Sequence, residues 1–186
     1  MGIKAIVFDI GGVLIEDPEY KEFWDGKGKD LRTLFGSGKI NYESFIKDGS
    51  EVLGISLDEF KTGYEKAYSN MKPMREVLNI FENIKVDKYL FSDTNPVHLK
   101  VLRNNFSSIF EKSVKSFASC EIGFRKDHDE SYEAVIKGIG VSPEEILFID
   151  NKSKYLDRAR VFGINTILYE NSEKLESDLK SFGVEL

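Results

Sequence analysis

The 186-residue sequence predicts an α/β fold. In it, a mostly parallel sheet of about five strands carries helices on both faces, and a small helical insertion follows the first strand. Three observations lead there. Short apolar runs recur, and each stops at a polar residue: Ala5-Ile6-Val7-Phe8 before Asp9, Tyr89-Leu90-Phe91 before Ser92-Asp93, and Ile146-Leu147-Phe148-Ile149 before Asp150-Asn151. Runs of this length and composition read as strands buried on both faces of a parallel sheet. A segment of helical periodicity follows the second and third, and strands alternating with helices imply parallel pairing with helices on the faces. Between residues 17 and 84 the rhythm changes to helices alone.

Taken in chain order, the first strand is residues 5–8, and paired glycines, Gly11 and Gly12, lie just beyond Asp9. Such a pair marks a tight backbone or a close approach to a ligand. Residues 25–39 are rich in Gly and Lys and read as a flexible loop. They fail the phosphate-loop pattern, which needs Gly at 33 and Ser or Thr at 40, where Thr33 and Ile40 stand. Helices are expected over 42–53, after the capping box Ser56-Leu57-Asp58-Glu59, and over 74–84. In the second of these Phe60, Tyr64, Ala67 and Tyr68 fall at helical spacing; the aromatic residues Trp24, Phe45, Phe60, Tyr64 and Tyr68 fit a small core better than a ligand pocket. After the strand at 89–91, Asn95 caps a helix that takes Pro96 in its first turn, where a missing N–H is harmless. A strand at 114–117, a helix at 130–137, a strand at 146–149, a helix ending near Gly163 and a strand at 165–169 complete the pattern. The expected division is a core of residues 1–16 and 85–186 with a helical cap of residues 17–84.

Composition narrows the function. The net charge is -6 and the isoelectric point is about 5.1, so the chain lacks the basic footprint of nucleic-acid binding. One cysteine, Cys120, cannot form an intramolecular disulfide, and a reducing cytoplasm is the expected location. No apolar stretch approaches the roughly 20 residues of a membrane span, and Ile6 stands where a myristoylation signal needs Ser or Thr.

Ligands of open parallel sheets bind at the carboxyl ends of strands near a topological switch point. Asp9, Ser92 and Asp150 each occupy such an end, and Lys126 lies in Gly123-Phe124-Arg125-Lys126-Asp127-His128 just before a helix. Acid, hydroxyl, lysine and distal acid in this order, in the segments FDIGGVL, LFSDTN, FRKDHDESYEAVI and EEILFIDNKSKYLDRARVFGINTI, resemble the four motifs of the haloacid dehalogenase superfamily of phosphohydrolases, whose core is Rossmann-like. The resemblance spans nearly the whole chain, and the insertion resembles that family's small helical cap.

The resemblance implies a Mg²⁺-dependent phosphatase acting on a small phosphorylated metabolite, such as a sugar phosphate. Asp9 would attack phosphorus, while Ser92, Asp93 and Lys126 would bind the substrate. Mg²⁺ would be held by Asp9, the Gly11 backbone carbonyl and Asp150, hard oxygen donors suited to that ion. Most phosphatases of the family carry a second Asp two positions after the nucleophile, where this chain has Gly11; one branch that includes sugar-phosphate phosphatases also has Gly. The carbonyl function survives, but the side chain that protonates the leaving group and activates water is missing. Asp17 is the first candidate to replace it, ahead of Glu16 and Asp93. Asn151 stands where many members place another acid, Asp157 reads as a surface acid, and His98 and His128 as residues on or near the surface, His128 with a possible substrate contact. Two other readings fit the same residues: a phosphate-binding regulatory protein that has lost turnover, and a haloacid dehalogenase, which would need no metal and leave Asp150 unexplained.

Overall fold

The computed structural model describes residues 2–17, 23, 24 and 26–186. Strands β1 (Ala5–Phe8), β2 (Asp87–Ser92), β3 (Lys115–Ala118), β4 (Ile146–Asp150) and β5 (Asn165–Leu168) form one sheet in the order β3-β2-β1-β4-β5, with every pairing parallel. The helices include α1 (Lys29–Gly36), α2 (Tyr42–Leu53), α3 (Leu57–Lys66), α4 (Arg75–Asn83), α5 (Pro96–Asn105), α6 (Ser107–Glu111), α7 (Ser119–Ile122), α8 (Asp129–Ile139), α9 (Ser153–Val161) and α10 (Ser172–Ser181).

Because side chains alternate across a strand, each apolar run supplies both faces of the sheet. Ile6, Phe8, Leu90, Leu147 and Ile149 point to one side, against Phe81 of α4, Leu102 of α5, Ile109 of α6 and Leu179 of α10. Val7, Tyr89, Phe91, Phe117 and Phe148 point to the other, against Tyr132 and Val135 of α8 and Leu156 of α9. The predicted caps are present: Asn95 accepts from Val97 N and His98 N ahead of Pro96, and Ser56 and Glu59 close their reciprocal box.

The inserted helices α1 to α3 build a separate aromatic core in which Trp24, Phe35, Phe45, Phe60, Tyr64 and Tyr68 are all buried. Phe35 and Phe45 stack with centroids 4.0 Å apart. The loop expected over 25–39 is helical in its middle. Its glycines mark the ends of α1: Gly28 takes the left-handed conformation ahead of the helix, and Gly38 takes it after. Leu31 and Phe35, one turn apart, pack into the aromatic core and fold the segment between them.

The helix expected at 74–84 packs as part of the core, since its apolar stripe of Val77, Ile80 and Phe81 lies on the sheet and the Phe81 ring meets Phe8 edge-on at 5.1 Å. The chain leaves and re-enters the core side by side: Glu16 N donates to Lys72 O and Met74 N to Leu14 O, both at 2.9 Å. The two chain crossings thus lie side by side at residues 14–16 and 72–74. Two further contacts tie cap to core. Ser119 Oγ lies 2.6 Å from Gly36 O, and Asn95 Nδ2 donates to Tyr68 Oη at 2.9 Å. Among the described residues no helix is long and apolar enough to cross a membrane.

Candidate active site

The strand order reverses direction between β1 and β4, which makes their carboxyl ends the switch point and sets Asp9 beside Asp150. Asp9 N donates to Ile149 O at 2.9 Å, and Asp9 Oδ1 accepts from Ile10 N at 2.8 Å. Past Asp9 the chain curls tightly, with Leu14 N and Ile15 N both donating to Ile10 O. The second of the paired glycines is required on two counts. Gly12 has φ +76°, and a Cβ there would lie 2.1 Å from Asn151 Nδ2. Gly11 has no such backbone constraint, but a Cβ on it would meet Asp17 Oδ1 at 2.7 Å. The carboxylate of Asp17 thus stands beside the position that the missing side chain would occupy.

Lys126 comes from the loop between β3 and α8 and is 1% exposed. Its Nζ lies 2.8 Å from Asp9 Oδ1 and 2.6 Å from Asp150 Oδ2, with the Phe91 and Phe148 rings 5.1 and 5.2 Å away. An ammonium can be buried this way because two carboxylates neutralise it and aromatic faces solvate the rest. Burial alone would pull the lysine's pKa down, but Asp9 and Asp150 hold it above its ordinary value, so Nζ is charged. Burial pushes the Asp9 carboxyl up to about 7, with Lys126 opposing the rise and Asp150 adding to it.

A cleft of about 370 Å³ opens between this end of the sheet and the cap, and Asp9, Gly11, Asp17, Ser92, Asp93 and Lys126 line it. Asp150 lies beneath them, fully buried. Asp93 is committed within the protein: Oδ1 accepts from Lys126 N at 2.8 Å, and Oδ2 lies 3.1 Å from both Tyr155 Oη and Arg125 Nη2. It braces the lysine loop against α9. Asn151 Oδ1 and Thr94 Oγ1 are buried without a hydrogen-bond partner among the described residues. No three His, Cys, Asp or Glu side chains cluster as a metal site among those residues.

The other singled-out residues lie elsewhere. Asp157 is exposed and paired with Arg160, and the exposed His128 lies 3.7 Å from Asp127, outside the cleft lining. Glu16 is exposed and its N–H joins the cap crossing.

His98, expected near the surface, is buried at the cleft's edge, stacked on Tyr68 at 4.8 Å with Nε2 3.2 Å from Met71 Sδ. The cap covers it, which its position in α5 alone does not reveal. Burial lowers its pKa from 6.5 to about 4. The unfolded chain therefore binds a proton more readily between those values, so the neutral ring's contribution is complete above pH 6.5 and is lost as pH falls towards 4. A shift of that size corresponds to about 3 kcal/mol. The stability difference between wild type and His98→Phe, measured by urea unfolding, should move against the wild type by up to that amount from pH 7 to pH 4; a pH-independent difference would show that His98 does not titrate as a buried group.

Several cleft residues carried no sequence expectation: Arg125, Tyr155, Lys152 and Lys154 on the core side, and Lys29 and Arg32 on α1. The last two were legible in principle, since 29, 32, 33 and 36 form one helical face and all four line the cleft.

Residues 3–152 match the family model of haloacid dehalogenase-like hydrolases, and the chain belongs to that family. It is similar to the D-ribitol-5-phosphate phosphatase of Bacteroides thetaiotaomicron, with 25% identity over 95% of this chain and 97% of the relative. Flavin mononucleotide hydrolase 1 of Arabidopsis thaliana is 24% identical over 98% of this chain and 78% of its own length. Among solved structures, a haloacid dehalogenase family enzyme of Bacteroides thetaiotaomicron in complex with magnesium and inorganic phosphate superposes with a TM-score of 0.73 and 25% identity, covering 91% of this chain and 95% of that one.

Proposed function

We propose that this chain is a Mg²⁺-dependent phosphatase of a small phosphorylated metabolite, with a sugar phosphate as the first candidate and Asp9 as nucleophile. The observation that carries this reading is the buried Asp9–Lys126–Asp150 constellation at the switch point, opening into a cleft of metabolite size. The relatives that hydrolyse phosphate esters, and the magnesium and phosphate complex of a similar structure, support it.

The residues present fit the metal. Asp9, the Gly11 carbonyl and Asp150 offer hard oxygens, two side chains and one backbone group, of the kind Mg²⁺ takes. The unpartnered Asn151 Oδ1 beside them is an acceptor that a hydrated cation's water would satisfy. When bound, Mg²⁺ supplies the positive charge that lets a carboxylate approach a dianionic phosphate.

Asp9 Oδ1 is occupied by Lys126 Nζ and Ile10 N, which leaves Oδ2 as the attacking atom. The Oδ2–phosphorus bond forms as the ester oxygen departs, and Asp17, over Gly11, gives that oxygen its proton. Lys126 and Ser92 hold phosphoryl oxygens while charge shifts among them. Asp17 then takes a proton from water as the water attacks phosphorus, which releases phosphate and regenerates the Asp9 carboxylate. Asp93 fixes the lysine loop, its Oδ1 accepting from Lys126 N.

The test is a screen of phosphorylated metabolites with and without Mg²⁺, together with calorimetry of Mg²⁺ binding. Metal-dependent phosphate release is expected, and Asp150→Ala should weaken Mg²⁺ binding by about 100-fold or more. Undiminished binding in that variant would remove Asp150 from the metal site. Phosphate binding without turnover of any ester would favour a regulatory phosphate-binding protein.

A further inference from the structure

Resting on the phosphatase reading, the geometry points to a second anion-binding subsite formed by Lys29 and Arg32 on α1, so that the substrate carries another acidic group, carboxylate or phosphate, distal to the scissile phosphate. Among the described residues, six Lys and Arg side chains line the cleft against four Asp, in a chain whose net charge is -6. Much of that charge is spoken for at the reacting end. Lys126 is shared between Asp9 and Asp150, Arg125 pairs with Asp93, and Lys152 is close enough to Asp9 to act on its carboxyl.

The two α1 cations face the cleft from the cap. Lys29, Arg32, Thr33 and Gly36 lie at i, i+3, i+4 and i+7, so a single face of the helix is turned to the ligand. Lys29 is exposed and pairs with no carboxylate among the described residues; Arg32 is held in place, its Nε donating to Gly28 O at 3.4 Å and its guanidinium 5.5 Å from the Trp24 ring. Gly36 lets the arginine of the opposite wall close in, since a Cβ there would lie 2.9 Å from Arg125 Nη1. A neutral polyol phosphate would leave this face solvated. A second anion would use it, and charge-assisted hydrogen bonds to a partly desolvated anion are about twice as strong as neutral ones.

Calorimetry of the Mg²⁺-loaded protein with non-hydrolysable probes tests the subsite independently of turnover. Phosphonoacetate, 3-phosphonopropionate and 4-phosphonobutyrate vary the spacing of the carboxylate, propane-1,3-diphosphonate replaces it with a phosphonate, and propylphosphonate lacks the second charge. At the best spacing the second anion should tighten binding by about tenfold or more, with the advantage shrinking as salt rises. A gain confined to the carboxylates or to the diphosphonate identifies the group. Lys29→Gln should cut the advantage to about threefold or less and Lys29→Glu should reverse it, with Arg32→Gln as the second variant. If propylphosphonate binds and no second anion improves on it, or if the advantage survives both Lys29→Gln and Arg32→Gln, the subsite is wrong while the phosphatase reading stands. If no phosphonate binds and no ester is hydrolysed, both fall.

Discussion

Asp9→Asn is expected to lower phosphate-ester turnover by about 10⁴-fold or more, the scale on which loss of a nucleophile is felt. It should do so without unfolding the protein. The amide is nearly the same size as the carboxylate, its oxygen can still accept from Ile10 N and Lys126 Nζ, and Lys126 keeps Asp150 as an ionic partner at 2.6 Å. The substitution also removes a carboxyl that burial and Asp150 both disfavour in its charged form, so at pH 8 the variant should melt no lower than the wild type. Phosphate release and thermal unfolding on the same mass-verified sample make the check. Activity above about a hundredth of wild type in undeamidated protein would exclude Asp9 as the nucleophile, whereas lost activity with a collapsed melting temperature would assign it a structural role.

The sheet was legible because β1, β2 and β4 announce themselves in two ways: uninterrupted apolar runs, and a polar residue at the end of each. The same signal placed Asp9, Ser92 and Asp150 at the cleft end of the sheet. What the sequence conceals is tertiary. Lys126 sits in a charged heptad, FRKDHDE, and only the fold shows that its side chain alone turns inward to two carboxylates and three aromatic faces. His98 is buried by a cap that local periodicity cannot position. The α1 helix was masked by glycines at its ends, and with it went the Lys29 and Arg32 face. The helix at 74–84 was recognised, but its allegiance depends on which surface its apolar stripe meets.

The missing acid at position 11 is the departure with the most to teach, and the position of Asp17 turns it into a measurable difference. Because a Cβ on Gly11 would meet Asp17 Oδ1 at 2.7 Å, carboxyls at both positions cannot sit there undisturbed. If Asp17 donates the proton, wild-type phosphoenzyme formation should depend only weakly on leaving-group pKa. Asp17→Asn should then slow sugar and alkyl phosphates by about 10²- to 10⁴-fold, the usual range for a general acid, while aryl and acyl phosphates, whose leaving groups depart unprotonated, change little. Gly11→Asp alone should displace Asp17, whose flexible end can move, and give little gain. In the double variant Gly11→Asp, Asp17→Asn, the rate on poor leaving groups should return, because the acid is restored a few ångströms away without a competitor. Single-turnover phosphoenzyme formation across a leaving-group series is the proper measurement, since it isolates the first step from any later one. A steep dependence already present in the wild type would mean that Gly11 is uncompensated, and a shallow one that Asp17→Asn leaves unchanged would pass the proton to another donor, with Glu16 or the substrate's own hydroxyls next to be tested.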